Sequence, residues 1–298
     1  MLKSVGVLSA SSPQFGRQLV VRFASSGSSQ PPAGQPPAGD QKPSPLDVEK
    51  HQSQSWLSRI LTGPQYNPEG VHKQSHSSML SVSNSIYELQ THDAIHGNKE
   101  EYLKRYGTFA NEIKSSTPGA EIVGSWYVLF GNQDQIVHLW RYKNGWTDVD
   151  SQIRALTANQ SVKAAENDVA KLCSRRRTVL TKPFSYWGEP TEREPSHIYD
   201  LRSYVLKPGT MIEWANAWNN GITYRREHNQ DVGGFFAQVG QLYMVFHIWA
   251  YPNLEARNST RQHTWAKPGW DATVAYTVPL INRMQSKILV PTPLSKLK

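Results

Sequence analysis

From residue 86 onward two periodicities take turns along the chain. Residues 86–92 alternate aliphatic or aromatic side chains with polar ones, the period of a strand with two different faces. Tyr102, Tyr106, Phe109 and Ile113 then recur at steps of three and four, which is one apolar stripe on a helix. Strand patterns return over 122–130 and 135–142, with Asn132-Gln133-Asp134 as the turn between them. A second helical region is predicted to run to about residue 175, followed by a closing strand.

The same order then repeats. A strand over 198–205 precedes a helix with Met211, Ala215, Trp218 and Ile222 on its apolar stripe. Strands over 234–240 and 243–251 flank a turn at Gly240-Gln241, and a helical region bent by Pro279 reaches about residue 286. Ile86-Tyr87-Glu88-Leu89 matches Ile198-Tyr199-Asp200-Leu201 at an offset of 112 residues. Val137–Tyr142 matches Phe246–Tyr251 at 109, and Thr178-Val179-Leu180 matches Ile288-Leu289-Val290 at 110. Three blocks in one order at nearly constant spacing indicate a duplication. Each copy reads βαββαβ, the ferredoxin-like pattern, giving an α+β fold. The first copy covers 86–187, a short acidic linker 188–197, and the second copy 198–298. Such a sheet carries helices on one face and leaves the other bare. Two tandem units are expected to bury their bare faces together as a barrel of the dimeric α+β type.

Charge changes the picture at the amino terminus. The chain has 32 Lys and Arg against 24 Asp and Glu, yet the first acid is Asp40. Residues 1–24 carry Lys3, Arg17 and Arg22 among Ser and apolar residues, the composition of a mitochondrial presequence. Its removal leaves 29 basic residues against 24 acidic, a net +5, so part of the basicity is an import signal. Residues 25–85 form a Pro/Gly/Ser-rich linker and arm, in which Trp56, Leu57 and Ile60 make a small apolar patch suited to partner contact. No run approaches 18 apolar residues, so no membrane-spanning helix is expected. The single cysteine, Cys173, excludes an internal disulfide framework and a CxxC zinc site.

The duplicated strands carry the candidate chemistry. His138, Trp140 and Tyr142 share one face of their strand, as do His247, Trp249 and Tyr251. Glu88, and Asp200 with Arg202, alternate with aliphatic and tyrosine positions in the same way. With the aliphatic face against the helices, Glu88, His138, Trp140, Asp200, Arg202, His247 and Trp249 would line the barrel interior. The simpler expectation is an interior filled by side chains that satisfy one another. The alternative is a pocket for a planar ligand, as in barrel oxygenases and haem-handling proteins. Other signals are weaker. His92 and His96, like His72 and His76, read as solvated pairs without a third metal ligand. Arg175-Arg176-Arg177 reads as the cationic end of a helix and Gly233-Gly234 as a turn. No metal, cofactor or catalytic residue is assigned, and no nucleic-acid motif accompanies the basic residues.

Ser125–Tyr142 (SWYVLFGNQDQIVHLWRY), Tyr199-Asp200-Leu201-Arg202 with Leu206-Lys207-Pro208-Gly209, His247–Tyr251 and Lys267–Asp271 together closely resemble the NipSnap family of mitochondrial proteins, over about residues 54–298. The resemblance implies a dimeric α+β barrel, a mitochondrial location and no established catalytic activity. It also implies a role in mitophagy: when import fails the protein stays at the mitochondrial surface and recruits autophagy adaptors and ATG8-type proteins. The import machinery would be a further partner, with peripheral membrane contact and self-association expected besides. Short aromatic-x-x-aliphatic motifs that could bind ATG8-type proteins by strand addition occur at Trp126–Leu129, Trp146–Val149 and Tyr251–Leu254. Trp146 and Val149, beside Asp148 and Asp150, fit an acidic context better than the others.

Overall fold

The computed structural model describes residues 79–298. Residues 1–24, where a presequence is expected, the Pro/Gly/Ser-rich stretch after them, His72, His76, Trp56, Leu57 and Ile60 lie outside the described residues. In the first copy β1 (Ile86–Ala94) leads into α1 (Lys99–Ser116), then β2 (Ala120–Phe130) and β3 (Gln135–Tyr142). Two helices, α2 (Trp146–Ala158) and α3 (Gln160–Lys171), precede β4 (Cys173–Pro183). The second copy runs β5 (Ile198–Leu206), α4 (Met211–Gly221), β6 (Asp231–Val239), β7 (Met244–Tyr251), α5 (Leu254–Trp265), α6 (Trp270–Thr277) and β8 (Ile281–Pro291).

Local chemistry accounts for most of these limits. The α1 stripe buries Tyr102, Tyr106, Phe109 and Ile113. Glu100 and Glu101 sit in its first turn and Lys114 in its last, the charge order that favours the helix dipole. The region after β3 is two helices because Asn159 takes an extended conformation and its side chain accepts from the Ser161 and Val162 amides. The expected bend at Pro279 is a stop instead. Residues 278–280 form a single 3-10 turn and Ile281 is already extended, so the strand starts several residues earlier than the sequence pattern suggested. Arg175–Arg177 lie in β4 rather than at a helix end, and Gly233-Gly234 lie in β6 rather than in a turn.

All eight strands pair antiparallel in the closed order β1-β3-β2-β8-β5-β7-β6-β4. Within each copy the order is that of a ferredoxin-like sheet. The copies are joined at two seams, β2 with β8, where Val128 faces Leu289, and β4 with β6, where Thr181 faces Ala237. Every strand of this sheet therefore has two neighbours, and no edge is left open to another chain.

Most of the interior is hydrocarbon and aromatic, with Lys287 donating to Gln135 on the same inward face. Tyr87, Leu89, Val137 and Leu139 from one copy meet Tyr199, Leu201, Phe246 and Ile248 from the other. Tyr87 packs on Phe235 with ring centroids 4.8 Å apart, and Trp126 on Tyr199 at 5.4 Å. Each fully buried side chain of this kind is worth about 1.5–3 kcal/mol. The face assignment made from sequence is thus reversed. The side chains of Glu88, His138, Trp140, Asp200, Arg202, His247 and Trp249 lie on the outer, helix-covered face of the sheet. The reason is satisfiability. Within the barrel the residues opposite are mostly aliphatic or aromatic, whereas α1 brings tyrosine hydroxyls against the polar positions of its sheet.

Candidate functional site

Each copy holds a cluster between its sheet and its helices, built from matching strand positions. Glu88 faces Trp140 and Gln90 faces His138 across β1 and β3. Asp200 faces Trp249 and Arg202 faces His247 across β5 and β7. The two clusters share this frame and differ in how they are wired.

In the first copy the polar groups satisfy one another. Glu88 accepts from the Tyr142 hydroxyl at 2.5 Å, from Gln90 Nε2 at 2.9 Å and from Thr178 Oγ1 at 2.6 Å. Trp140 Nε1 donates to the Tyr106 hydroxyl at 2.7 Å, which donates to Gln90 Oε1 at 2.6 Å. The Tyr102 hydroxyl lies 2.6 Å from His92 Nδ1 and 2.9 Å from His138 Nε2, bridging two imidazoles. Tyr106 stacks on His138 with centroids 3.6 Å apart and planes 7° from parallel. Burial holds both imidazoles neutral: His92 is lowered to about 4, with Arg176 adding to the effect, and His138 falls well below the usual histidine range. Burial likewise raises the Tyr102, Tyr106 and Tyr142 hydroxyls, so each keeps its proton. A cleft of about 390 Å³ opens beside Glu88, Gln90 and His92, with Phe109, Leu156 and Val169 as its apolar wall. At its margin Arg176 is paired with Glu166 at 2.5 Å.

The second copy is aromatic and cationic. His247 is fully buried, and Trp187, Trp218 and Trp214 surround it at centroid distances of 4.3, 4.6 and 5.3 Å. Neither ring nitrogen meets a protein partner. Burial, reinforced by Arg202 and Arg225, depresses its basicity far below the ordinary value. Asp200 accepts from Arg257 Nε at 2.8 Å and Ser286 Oγ at 2.6 Å, with Arg202 at 3.9 Å. Trp187 reaches His247 because Gly234, paired with His247 across β6 and β7, leaves room for an indole where a Cβ would collide.

Sequence reasoning found the strand positions and missed their partners. Tyr102 and Tyr106 read as core because their spacing is apolar, and their hydroxyls carry the network. Trp187 falls at the end of the first copy and Arg225 in a 3-10 segment, so neither belongs to the duplicated strand pattern. His92 is buried at 7% exposure rather than solvated, whereas its supposed companion His96 is exposed and meets Asp134. Trp146–Val149 is the first turn of α2, with Trp146 44% exposed and Val149 8%, so these residues cannot be added to a partner as a strand. Trp126 and Tyr251 are likewise buried in strands of the closed sheet.

The family profile described as NIPSNAP matches residues 87–186 and again 199–296. A NipSnap protein of Caenorhabditis elegans is 58% identical over 248 residues, which is 83% of this chain and 47% of that protein, so the match spans about half of that relative. NipSnap homolog 1 of Danio rerio is 41% identical over 80% of this chain and 85% of its own length. Among solved structures, a candidate monooxygenase from Lactobacillus acidophilus superposes with a TM-score of 0.53 at 13% identity, covering 71% of this chain and 95% of its own. An anthrone oxidase-like protein does so at 0.52 and 9% identity, covering 72% of this chain and 93% of its own. At such identities the likeness is one of fold.

Proposed function

Because the chain belongs to the NIPSNAP family, we propose that it is a non-catalytic mitochondrial protein that acts by binding other proteins through the arm ahead of its barrel. The observation that carries this reading is the closure of the sheet. A partner peptide cannot add a strand to a barrel without edges. Binding by strand addition then falls to a segment outside the barrel, and Trp56, Leu57 and Ile60 form an apolar patch in the arm. The acid-free residues 1–24 support delivery by the import machinery, which depends on the membrane potential. When the potential is lost, the chain stays outside, and the arm recruits autophagy adaptors and ATG8-type proteins. An oxygenase reading has fold likeness alone in its favour.

The test uses the full chain in cells, beside a variant carrying Trp56→Ala and Leu57→Ala. Both should be imported while the potential holds. After a protonophore collapses it, ATG8-type protein captured at the mitochondrial surface should fall at least tenfold for the variant. Undiminished capture overturns the arm assignment, and a chain that never reaches mitochondria overturns the reading as a whole.

A further inference from the structure

The cleft under the second copy's helices carries more positive charge than its neighbours offset. Arg225 is 6% exposed. One of its terminal nitrogens donates to the Tyr251 hydroxyl at 2.9 Å, and its guanidinium lies over Trp249 at 4.5 Å and Trp270 at 5.9 Å. Its Nε has no partner. Arg202 gives its Nε to the Tyr204 hydroxyl at 2.7 Å. Arg261, half-buried, makes no hydrogen bond or ion pair among the described residues, and Arg202, Arg257 and Arg225 all repel it. A carboxylate acting on it is Asp200, already engaged by Arg257 and Ser286.

The first copy is the internal comparison. Glu88 stands where Asp200 does and takes its hydrogen bonds from neutral groups, and Arg176 beside that cleft has Glu166. The excess charge is therefore not a requirement of the fold. Several guanidiniums sharing one carboxylate in a half-buried cleft are costly unless something negative completes them. The wall supplies the rest of the description. Arg202, Arg225 and Arg261 border a cavity of about 140 Å³ together with Trp218, Trp265 and Trp270. A cavity of about 150 Å³ accommodates a benzene ring, and guanidinium forks match the planar oxygens of carboxylates and phosphates.

We propose that the second copy binds a small aromatic acid, its ring among the three tryptophans and its anionic head on Arg202, Arg225 and Arg261. This site is separate from the arm and does not depend on what the arm binds.

The experiment titrates the full-length protein with benzoate, phenylphosphate and benzyl alcohol, followed by calorimetry and by tryptophan fluorescence. At least one of the two anions should saturate one site per chain, and benzyl alcohol should bind at least tenfold more weakly. Saturation by benzoate alone assigns a carboxylate head, and by phenylphosphate alone a phosphate head. The Arg261→Gln variant should lose at least tenfold in affinity for the anion. Its unliganded melting temperature should not fall, because it removes a repelled charge and no hydrogen bond or ion pair. The proposal is overturned if neither anion binds, if the alcohol binds as well as the anions, or if R261Q binds like the unaltered chain.

Discussion

His138 and His247 occupy matching places in the two copies, both against aromatic rings, and differ in their hydrogen bonding. His138 Nε2 lies 2.9 Å from the Tyr102 hydroxyl, while neither nitrogen of His247 meets a protein partner inside its ring of tryptophans. One imidazole is fixed by a hydrogen bond as well as by stacking on Tyr106, the other by aromatic packing alone.

That difference predicts unequal costs for the same change. His138→Leu strips a partner from a buried tyrosine hydroxyl and should cost about 1–3 kcal/mol. His247→Leu leaves no hydrogen bond broken and should cost at least 1 kcal/mol less. Urea unfolding with unchanged m values is the measurement, and equal losses would contradict the wiring described.

The buried histidines also set a pH dependence. His92 is lowered to about 4, and His138 and His247 are lowered as well, each chiefly by burial. Below the ordinary histidine value of about 6.5 the unfolded chain takes up protons that the folded chain refuses. Stability is therefore greatest above pH 6.5 and falls as pH drops toward 4, by up to about 1.4 kcal/mol per pH unit for each histidine. Arg176 and Asp93 are the charges acting on His92, with opposite signs. His92→Gln should make the decline between pH 6.5 and 5 measurably shallower.

Gly234→Ala should disturb the second cluster and spare the first. The added methyl meets the Trp187 indole, which must move off His247, at about 1–3 kcal/mol. Tryptophan emission should change with it, whereas an alanine at Gly209, a turn with open space around it but a positive φ, should cost stability without altering emission.

Cys173 should be slow to alkylate. Burial pushes its thiol up to about 11, which at pH 8 leaves about a hundredfold less thiolate than a thiol of pKa 9. Labelling should reach the ordinary rate only after unfolding.

The duplication and the strand order were legible because period and spacing survive in both copies, from Ile86-Tyr87 to Leu289-Val290. Which face of β3 and β7 points inward was not, because alternation gives two faces and no direction. His138 and Val137 could each have been internal until α1 supplied Tyr102 and Tyr106 as partners. The strand seams were beyond reach for a related reason: nothing local in β4 or β8 marks Ala237 or Val128 as the residue across the seam. The arginine cleft was missed because Arg225 and Arg261 come from helical segments that have no counterpart in the repeated strand motif.

Closure of one barrel by one chain is the premise on which the arm assignment rests, and a cross-seam disulfide tests it most directly. Thr181 of β4 faces Ala237 of β6, both buried, so Thr181→Cys with Ala237→Cys, in a chain carrying Cys173→Ser, places two thiols across the seam. Mild oxidation of the folded protein should give a disulfide within single chains, read as a monomer on a denaturing gel with both thiols consumed. Disulfide-linked dimers, or thiols that stay free in folded protein, would contradict it.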